Sequence, residues 1–235
     1  MKRAWRAAAW MLGIGALATT PLAAQSSGPL SITPSPSARP STARPAISPA
    51  TPTPGASTAV VAPSIEQVNA YLNSLVQLTG SFSQTGPDGK HTNGRLYVHR
   101  PGRLRFEYEP PSQLEIIADG KSVALRDRRL ATQDLYSLSQ TPLKFLVADR
   151  IDLRRDTTVK RAELKGDSYL VVLTDRSTFG GTSEIALIFD AKVTALRYWV
   201  VTDPQGYTTT VNLSNLDTSK RLDDKLFVID YQRIL

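Results

Sequence analysis

The sequence contains no cysteine and only two histidines, and these absences exclude several kinds of chemistry. Without cysteine there is no disulfide framework, no thiolate metal site, no catalytic thiol and no lipid anchor on an N-terminal cysteine. His91 and His99 have no partner at the spacing of a metal site. A Gly-x-Ser-x-Gly elbow and a glycine-rich phosphate loop are also missing. We therefore expect no metal, no cofactor and no enzymatic activity.

The sequence also lacks an apolar run of the roughly 20 residues that a transmembrane helix needs. The best candidate, residues 7–18, is too short, follows three basic residues and precedes Ala23 and Ala24. This pattern is typical of a secretory signal peptide, which we assign to residues 1–24. A short buried helix is the alternative. The assignment predicts a periplasmic protein that is soluble after cleavage.

Residues 25–63 are rich in Pro, Ser, Thr and Ala, a composition that favours a disordered linker because it offers little apolar surface to bury. The formal charge of +7 includes five basic residues before position 64 and no acidic residue there, so the remainder carries +2. A nucleic-acid-binding protein usually shows a concentrated basic face, and no such partner is expected. Residues 64–235 are left as one domain.

A helix is predicted at the start of this domain and antiparallel strands after it. Ser64 and Gln67 form a capping-box pattern, apolar residues follow at helical spacing, and Gly80 is expected to end the helix. After Gly80 the hydrophobic period changes to two, and tight-turn signals recur about every ten residues. A second short helix is expected near residues 142–148. These elements predict one curved antiparallel sheet with at least two helices. Two short helices cannot fill the concave side of such a sheet, which hints at a cavity between the sheet and the helices.

Asp119, Asp127 and Asp190 each lie beside a turn, where aspartate is favoured for backbone reasons. The turn interpretation is therefore preferred over catalysis. Pairing of carboxylates in space is not visible in a sequence, so an envelope enzyme stays open as an alternative function.

The segment from Gly94 to Pro111 contains a Gly-x-Leu-aromatic-Val-x-Arg-Pro strand and then a strand of alternating large apolar residues. An Asp-Gly-Lys turn at 119–121, Gln-Thr-Pro-Leu at 140–143 and Asp-Lys-Leu-Phe at 224–227 follow in order. With the amphipathic helix in front, this series resembles the periplasmic lipoprotein carriers of the LolA type. The resemblance spans nearly the whole domain.

The resemblance implies an unclosed antiparallel half β-barrel, capped by an N-terminal helix and a short helical lid over an apolar cavity. It implies a carrier that takes acylated lipoproteins from an ATP-driven inner-membrane release complex to an outer-membrane acceptor. We expect the carrier to be a monomer. The alternative is a lipid- or lipoprotein-sensing regulatory module of the cell envelope on the same fold.

Site residues carry over position by position. Arg100 matches the arginine that holds the lid of the empty form closed, although a solvated strand arginine is the plain alternative. Strand residues that face or flank the cavity, or pack as ordinary core, are Leu96, Val98, Leu104, Phe106, Tyr108 and Ile116. The helices contribute Leu72, Leu143 and Leu146. Tyr97 and Phe106 stand where the family often has tryptophan, which leaves the cavity shape open.

Overall fold

A computed structural model describes residues 63–232 of the protein. The predicted signal peptide and nearly all of the predicted linker lie outside these residues. Within them the first element is helix α1 (Ile65–Ser74), which begins with the predicted capping box: Ser64 Oγ accepts from Gln67 N, and Gln67 Oε1 accepts from Ser64 N. Among the described residues, no helix is long and apolar enough to cross a membrane.

Eleven strands make up most of the described chain. They are β1 (Gln77–Thr85), β2 (His91–His99), β3 (Arg103–Tyr108), β4 (Leu114–Asp119), β5 (Ser122–Asp127), β6 (Thr132–Ser137), β7 (Thr158–Lys165), β8 (Ser168–Thr178), β9 (Gly181–Asp190), β10 (Leu196–Thr202) and β11 (Thr208–Asp217). They form one antiparallel sheet in the order β6-β5-β4-β3-β2-β1-β11-β10-β9-β8-β7. Because β6 and β7 do not pair with each other, the sheet is an unclosed barrel, as predicted.

Two short helices, α2 (Lys144–Val147) and α3 (Leu153–Asp156), lie between β6 and β7. Single-turn 3₁₀ helices at Leu138–Gln140 and Asp224–Phe227 complete the fold. The predicted helix near residues 142–148 is thus present as one turn. So short a helix cannot be stable alone and depends on packing of its apolar side chains.

We predicted that Gly80 ends the first helix, and this prediction is wrong. The helix stops at Ser74, and Gly80 lies within β1. The pairing of β1 with β11 shifts register between Thr79 and Ser81, and a Cβ on Gly80 would come within 2.6 Å of Leu216 Cδ2. Glycine lets the two strands approach closely at this bulge without displacing the Leu216 side chain.

Candidate functional site

One face of the sheet and the helices share a single apolar interior. Strands β2, β3 and β4 place Leu96, Phe106 and Ile116 side by side in register, and Val98 pairs with Leu104 in the next row. All five side chains are buried. This face is apolar because every second residue of these strands is large and hydrophobic, as the alternation in the sequence predicted.

The helices close over this interior. From α1 come Val68 and Leu72, and from the segment around α2 come Leu143, Phe145 and Val147, all of them buried within the same hydrophobic cluster as the sheet. Leu146 is half-buried and packs against that cluster. We call residues 141–149 the lid, because they cover the concave face between the two edges of the sheet.

Aromatic rings occupy the middle of the interior. Phe82 meets Phe106 and Tyr108 edge to face, each with ring centroids 5.1 Å apart, and Phe106 meets Trp199 at 6.3 Å. The Phe82 ring lies directly against Gly94, where an added Cβ would come within 2.6 Å of it. Such edge-to-face pairs add to the free energy of apolar burial and fix the ring orientations.

Tyr108 carries a polar group into this apolar environment. Its hydroxyl donates to Gln84 Oε1 at 2.6 Å, and both side chains are buried. Burial raises the pKa of Tyr108 well above its usual range, while the bond to Gln84 acts in the opposite direction. The phenol therefore stays neutral, and Gln84 satisfies a group that would otherwise be costly to bury.

Two small apolar cavities remain beneath the lid, each of about 20 Å³. The first lies toward α1, and its walls include Leu72, Leu96, Val98 and Leu146. The second lies toward β9 and β10, and its walls are Pro142, Leu143, Phe145, Leu146, Ile185, Leu187, Trp199 and Val201. Each volume is enough for about one water molecule.

Arg100 joins the lid to the first helix. Its side chain donates to the carbonyl oxygen of Leu72 near the end of α1, and to Asn73 Oδ1 at 3.1 Å. It also donates to Ala148 O through Nε at 2.9 Å and to Asp149 O through Nη2 at 2.9 Å. The guanidinium thus binds one carbonyl oxygen in the last turn of α1 and two that follow α2, and helix ends are where backbone carbonyls have acceptor capacity to spare.

The position of Arg100 is fixed by both backbone and burial. Arg100 is 7% exposed, and its backbone N–H donates to Val76 O at 2.9 Å. Burial lowers the pKa of the guanidinium, with the nearby Asp149 acting in the opposite direction. The group keeps its charge because arginine starts from so high a pKa. A buried cation with this set of acceptors is not a solvated strand arginine.

The predicted site residues fall into two groups. Leu72, Leu96, Val98, Leu143 and Leu146 line the small cavities. Leu104, Phe106, Tyr108 and Ile116 belong to the same buried cluster but line neither of these cavities. The structure therefore brings all nine residues into one apolar interior.

Trp199 is the residue that sequence reasoning missed. It lies on β10, is 5% exposed and lines both small cavities. The alternation in β10 pointed to a strand, but the register shift between Leu196 and Tyr198 hides which face Trp199 occupies. Trp199 thus brings a large indole into the interior from the half of the sheet that contains β10.

The opposite face of the sheet is covered in part by the C-terminal segment. Arg103 pairs with Asp224 at 2.6 Å, and Arg105 pairs with the buried Glu115 at 2.7 Å. Ile229 packs with Ile117, Ala124 and Leu135 in a small apolar cluster of its own. Both arginines of β3 are therefore held in ion pairs on the outer face.

The described residues contain no group of three side chains that could hold a metal ion. The three turn aspartates act on the backbone, as expected. Asp119 Oδ1 accepts from Lys121 N, Asp127 Oδ1 from Arg129 N, and Asp190 Oδ1 from Ala195 N.

Comparison with known proteins gives a consistent result. Residues 73–230 match the family model "Outer membrane lipoprotein carrier protein LolA". The chain is 25% identical over 177 residues to an outer-membrane lipoprotein carrier protein of Nitrosomonas europaea, covering 72% of this chain and 85% of that protein. A carrier of Methylococcus capsulatus is 26% identical over 170 residues, covering 68% and 80%. A solved LolA superfamily protein from Nitrosomonas europaea aligns at a TM-score of 0.41 and 15% identity, covering 72% of this chain and all of that one.

Proposed function

Since the chain belongs to the outer membrane lipoprotein carrier protein LolA family, we propose that it is a periplasmic carrier which binds lipoprotein acyl chains beneath the lid. It takes them up from an ATP-driven release complex of the inner membrane and passes them to an acceptor at the outer membrane. The observation that supports this best is the apolar interior under a one-turn lid tied down by Arg100.

Neither of the two cavities of about 20 Å³ is large enough for an acyl chain, which supports a carrier cycle that begins from a closed form. Loading requires the lid to move away from α1 and from the sheet. Arg100 then loses its carbonyl acceptors on the lid, and the acyl chain takes the place of Leu143 and Leu146 against Trp199.

A closed form lowers the net affinity of the carrier for acyl chains. Burial of a 16-carbon chain is worth roughly 0.8 kcal/mol per CH₂, or about 12 kcal/mol, which makes release into water very slow. Opening the closed form subtracts from that gain, because a state with favourable internal contacts must be given up. An acceptor without such a state then binds the same chain more tightly, and transfer is downhill without nucleotide.

The proposal is tested by native mass spectrometry of the mature protein purified from the periplasm, with identification of any bound lipid. A one-to-one complex with an acylated lipoprotein is expected, together with release of lipoproteins from inner-membrane vesicles when the purified protein is added. An empty protein that releases nothing from vesicles would contradict the carrier role and would favour the envelope-sensing module. Turnover of a lipid or glycan would instead identify an enzyme.

A further inference from the structure

The lid is tied down at its start as well as at its Arg100 end. Lys144, the first residue of α2, pairs through Nζ with Asp175 Oδ2 on β8 at 2.7 Å and donates to Ser177 Oγ. Just before the lid, Gln140 O accepts from Phe179 N at 2.8 Å. We call Gln140, Lys144, Asp175 and Phe179 the clasp.

The clasp joins the two far sides of the open sheet. The lid segment continues from β6, which is one edge, whereas Asp175 and Phe179 belong to β8 and its turn, next to the edge strand β7. The rings of Tyr136 on β6 and Phe179 face each other at 6.5 Å. At this end, therefore, the two halves of the sheet meet through side chains and one backbone bond, without a strand pair.

The clasp also lies beside the small cavity between the lid and β10, which an acyl chain would fill. Asp175 pairs with Ser183 on β9, two residues from Ile185, which lines the small cavity between the lid and β10. Leu143 lines the same cavity from the lid side and directly precedes Lys144. Breaking the clasp would thus expose that cavity first.

The two attachments of the lid, Arg100 and the clasp, differ in strength. Arg100 donates to four different acceptors and is 7% exposed, so its bonds are protected from water. Lys144 makes one ion pair and one hydrogen bond to Ser177, and its side chain is 22% exposed, against 3% for Asp175. The clasp therefore has fewer bonds than Arg100, and water reaches it from the Lys144 side. Gln140 and Phe179 are both exposed and share a single hydrogen bond.

We infer that the lid opens first at the clasp, before the Arg100 bonds are released, so that Lys144 and Asp175 are positioning residues which guard the entry port for acyl chains. This inference rests on the proposed function. The port lies between the start of the lid and the β8–β9 turn, and its apolar wall is formed by Leu143, Ile185 and Trp199.

A cross-linking experiment tests which end opens, because the natural chain has no cysteine to interfere. Gln140→Cys with Phe179→Cys places two exposed thiols across the clasp and leaves Lys144 and Asp175 in place. Glu66→Cys with Arg154→Cys places two exposed thiols across α1 and α3, where Arg154 Nε and Glu66 Oε1 are 3.0 Å apart. Both are joined with the same short bis-maleimide, and uptake of a dansyl-labelled dipalmitoylated lipopeptide is followed by fluorescence.

We expect the link across the clasp to abolish uptake and the link between α1 and α3 to leave it unchanged. Undiminished uptake with the clasp linked would overturn the inference, as would loss of uptake with both links. If the unlinked proteins also fail to bind the lipopeptide, the proposed function itself is wrong, and this result differs from either of the others.

A second pair of variants measures the clasp without a linker. Lys144→Met and Asp175→Asn remove the charge from either partner and keep the side-chain size. Each should speed lipopeptide uptake by about threefold or more, because either change leaves the other partner unpaired and the Asp175 side chain is buried. Lys160→Met, an exposed change on β7, serves as the control. Unchanged uptake rates in both clasp variants, with thermal stability preserved, would contradict the assignment.

Discussion

Replacement of Arg100 by leucine is the sharpest test of the closed form. The substitution keeps an apolar stem of similar size and removes every side-chain bond to Leu72, Asn73, Ala148 and Asp149. Hydrogen bonds from a charged donor contribute about 1.5–3 kcal/mol each, but the open form recovers part of this from water. A net loss of about 3 kcal/mol from the closed form is therefore expected.

That loss changes binding and transfer in opposite directions. If the closed form dominates the empty protein, destabilising it by about 3 kcal/mol raises the affinity for acyl chains by up to roughly 150-fold. The variant should therefore bind the labelled lipopeptide more tightly than the natural protein and pass it more slowly to acceptor vesicles. Binding is measured by fluorescence titration, and transfer by the fall in signal after vesicles are added.

The matched control is Arg95→Leu, which removes an exposed arginine from β2, the strand that Arg100 directly follows. It should leave both affinity and transfer rate within about twofold of the natural protein, since exposed charges contribute little. If Arg100→Leu binds no more tightly and transfers as readily as this control, the reasoning about the latch is wrong. A collapse of folding, detected by circular dichroism, would call for Arg100→Lys, which keeps the charge and loses the planar set of donors.

Three stability predictions follow from the interior, each measured as the free energy of unfolding in urea. Phe106→Ala should cost about 3–5 kcal/mol, because it leaves a cavity among the rings of Phe82 and Trp199; a cost below about 1 kcal/mol would contradict the packing. Tyr108→Phe should cost about 1–3 kcal/mol, since it leaves the buried Gln84 oxygen without its donor, and a neutral effect would refute that role. Gly94→Ala should cost at least about 1 kcal/mol, because its Cβ would clash with the backbone oxygen of Glu107 and with the Phe82 ring, and an alanine tolerated at no cost would disprove the close approach.

The sequence predicted those features that depend on local pattern. The capping box at Ser64, the alternation around Phe106 and the turn aspartates each involve residues a few positions apart, and all three were predicted correctly. Gly80 was misread because a glycine after an apolar helix is a common stop signal, whereas its role depends on contact with Leu216, far along the chain.

Contacts between elements that are distant in sequence could not be predicted, because no local pattern encodes them. Trp199 stands opposite Phe106 only because β10 and β3 belong to the two halves of one sheet, and a bulge in β10 obscures its face. Lys144 and Asp175 are separated by two elements in sequence, α3 and β7, and carry no motif. Arg100 was identified through family resemblance, since nothing in the pattern of β2 distinguishes a buried arginine after the strand from a solvated one.

The two fastenings of the lid also imply an order of events for cargo release. Reclosure must form the bonds of Arg100 to Ala148 and Asp149 and the ion pair of Lys144 with Asp175, and both sets require the acyl chain to leave the space beneath the lid. Because Arg100 contributes the larger share, its bonds should set how much affinity is given up at equilibrium, whereas the clasp should set how fast chains pass. The two variants should therefore have different effects. Arg100→Leu should change the affinity for acyl chains far more than the uptake rate. Lys144→Met should change the uptake rate far more than the affinity. Equal effects of both variants on both quantities would mean that the lid moves as one rigid piece, and the separation of roles would be wrong.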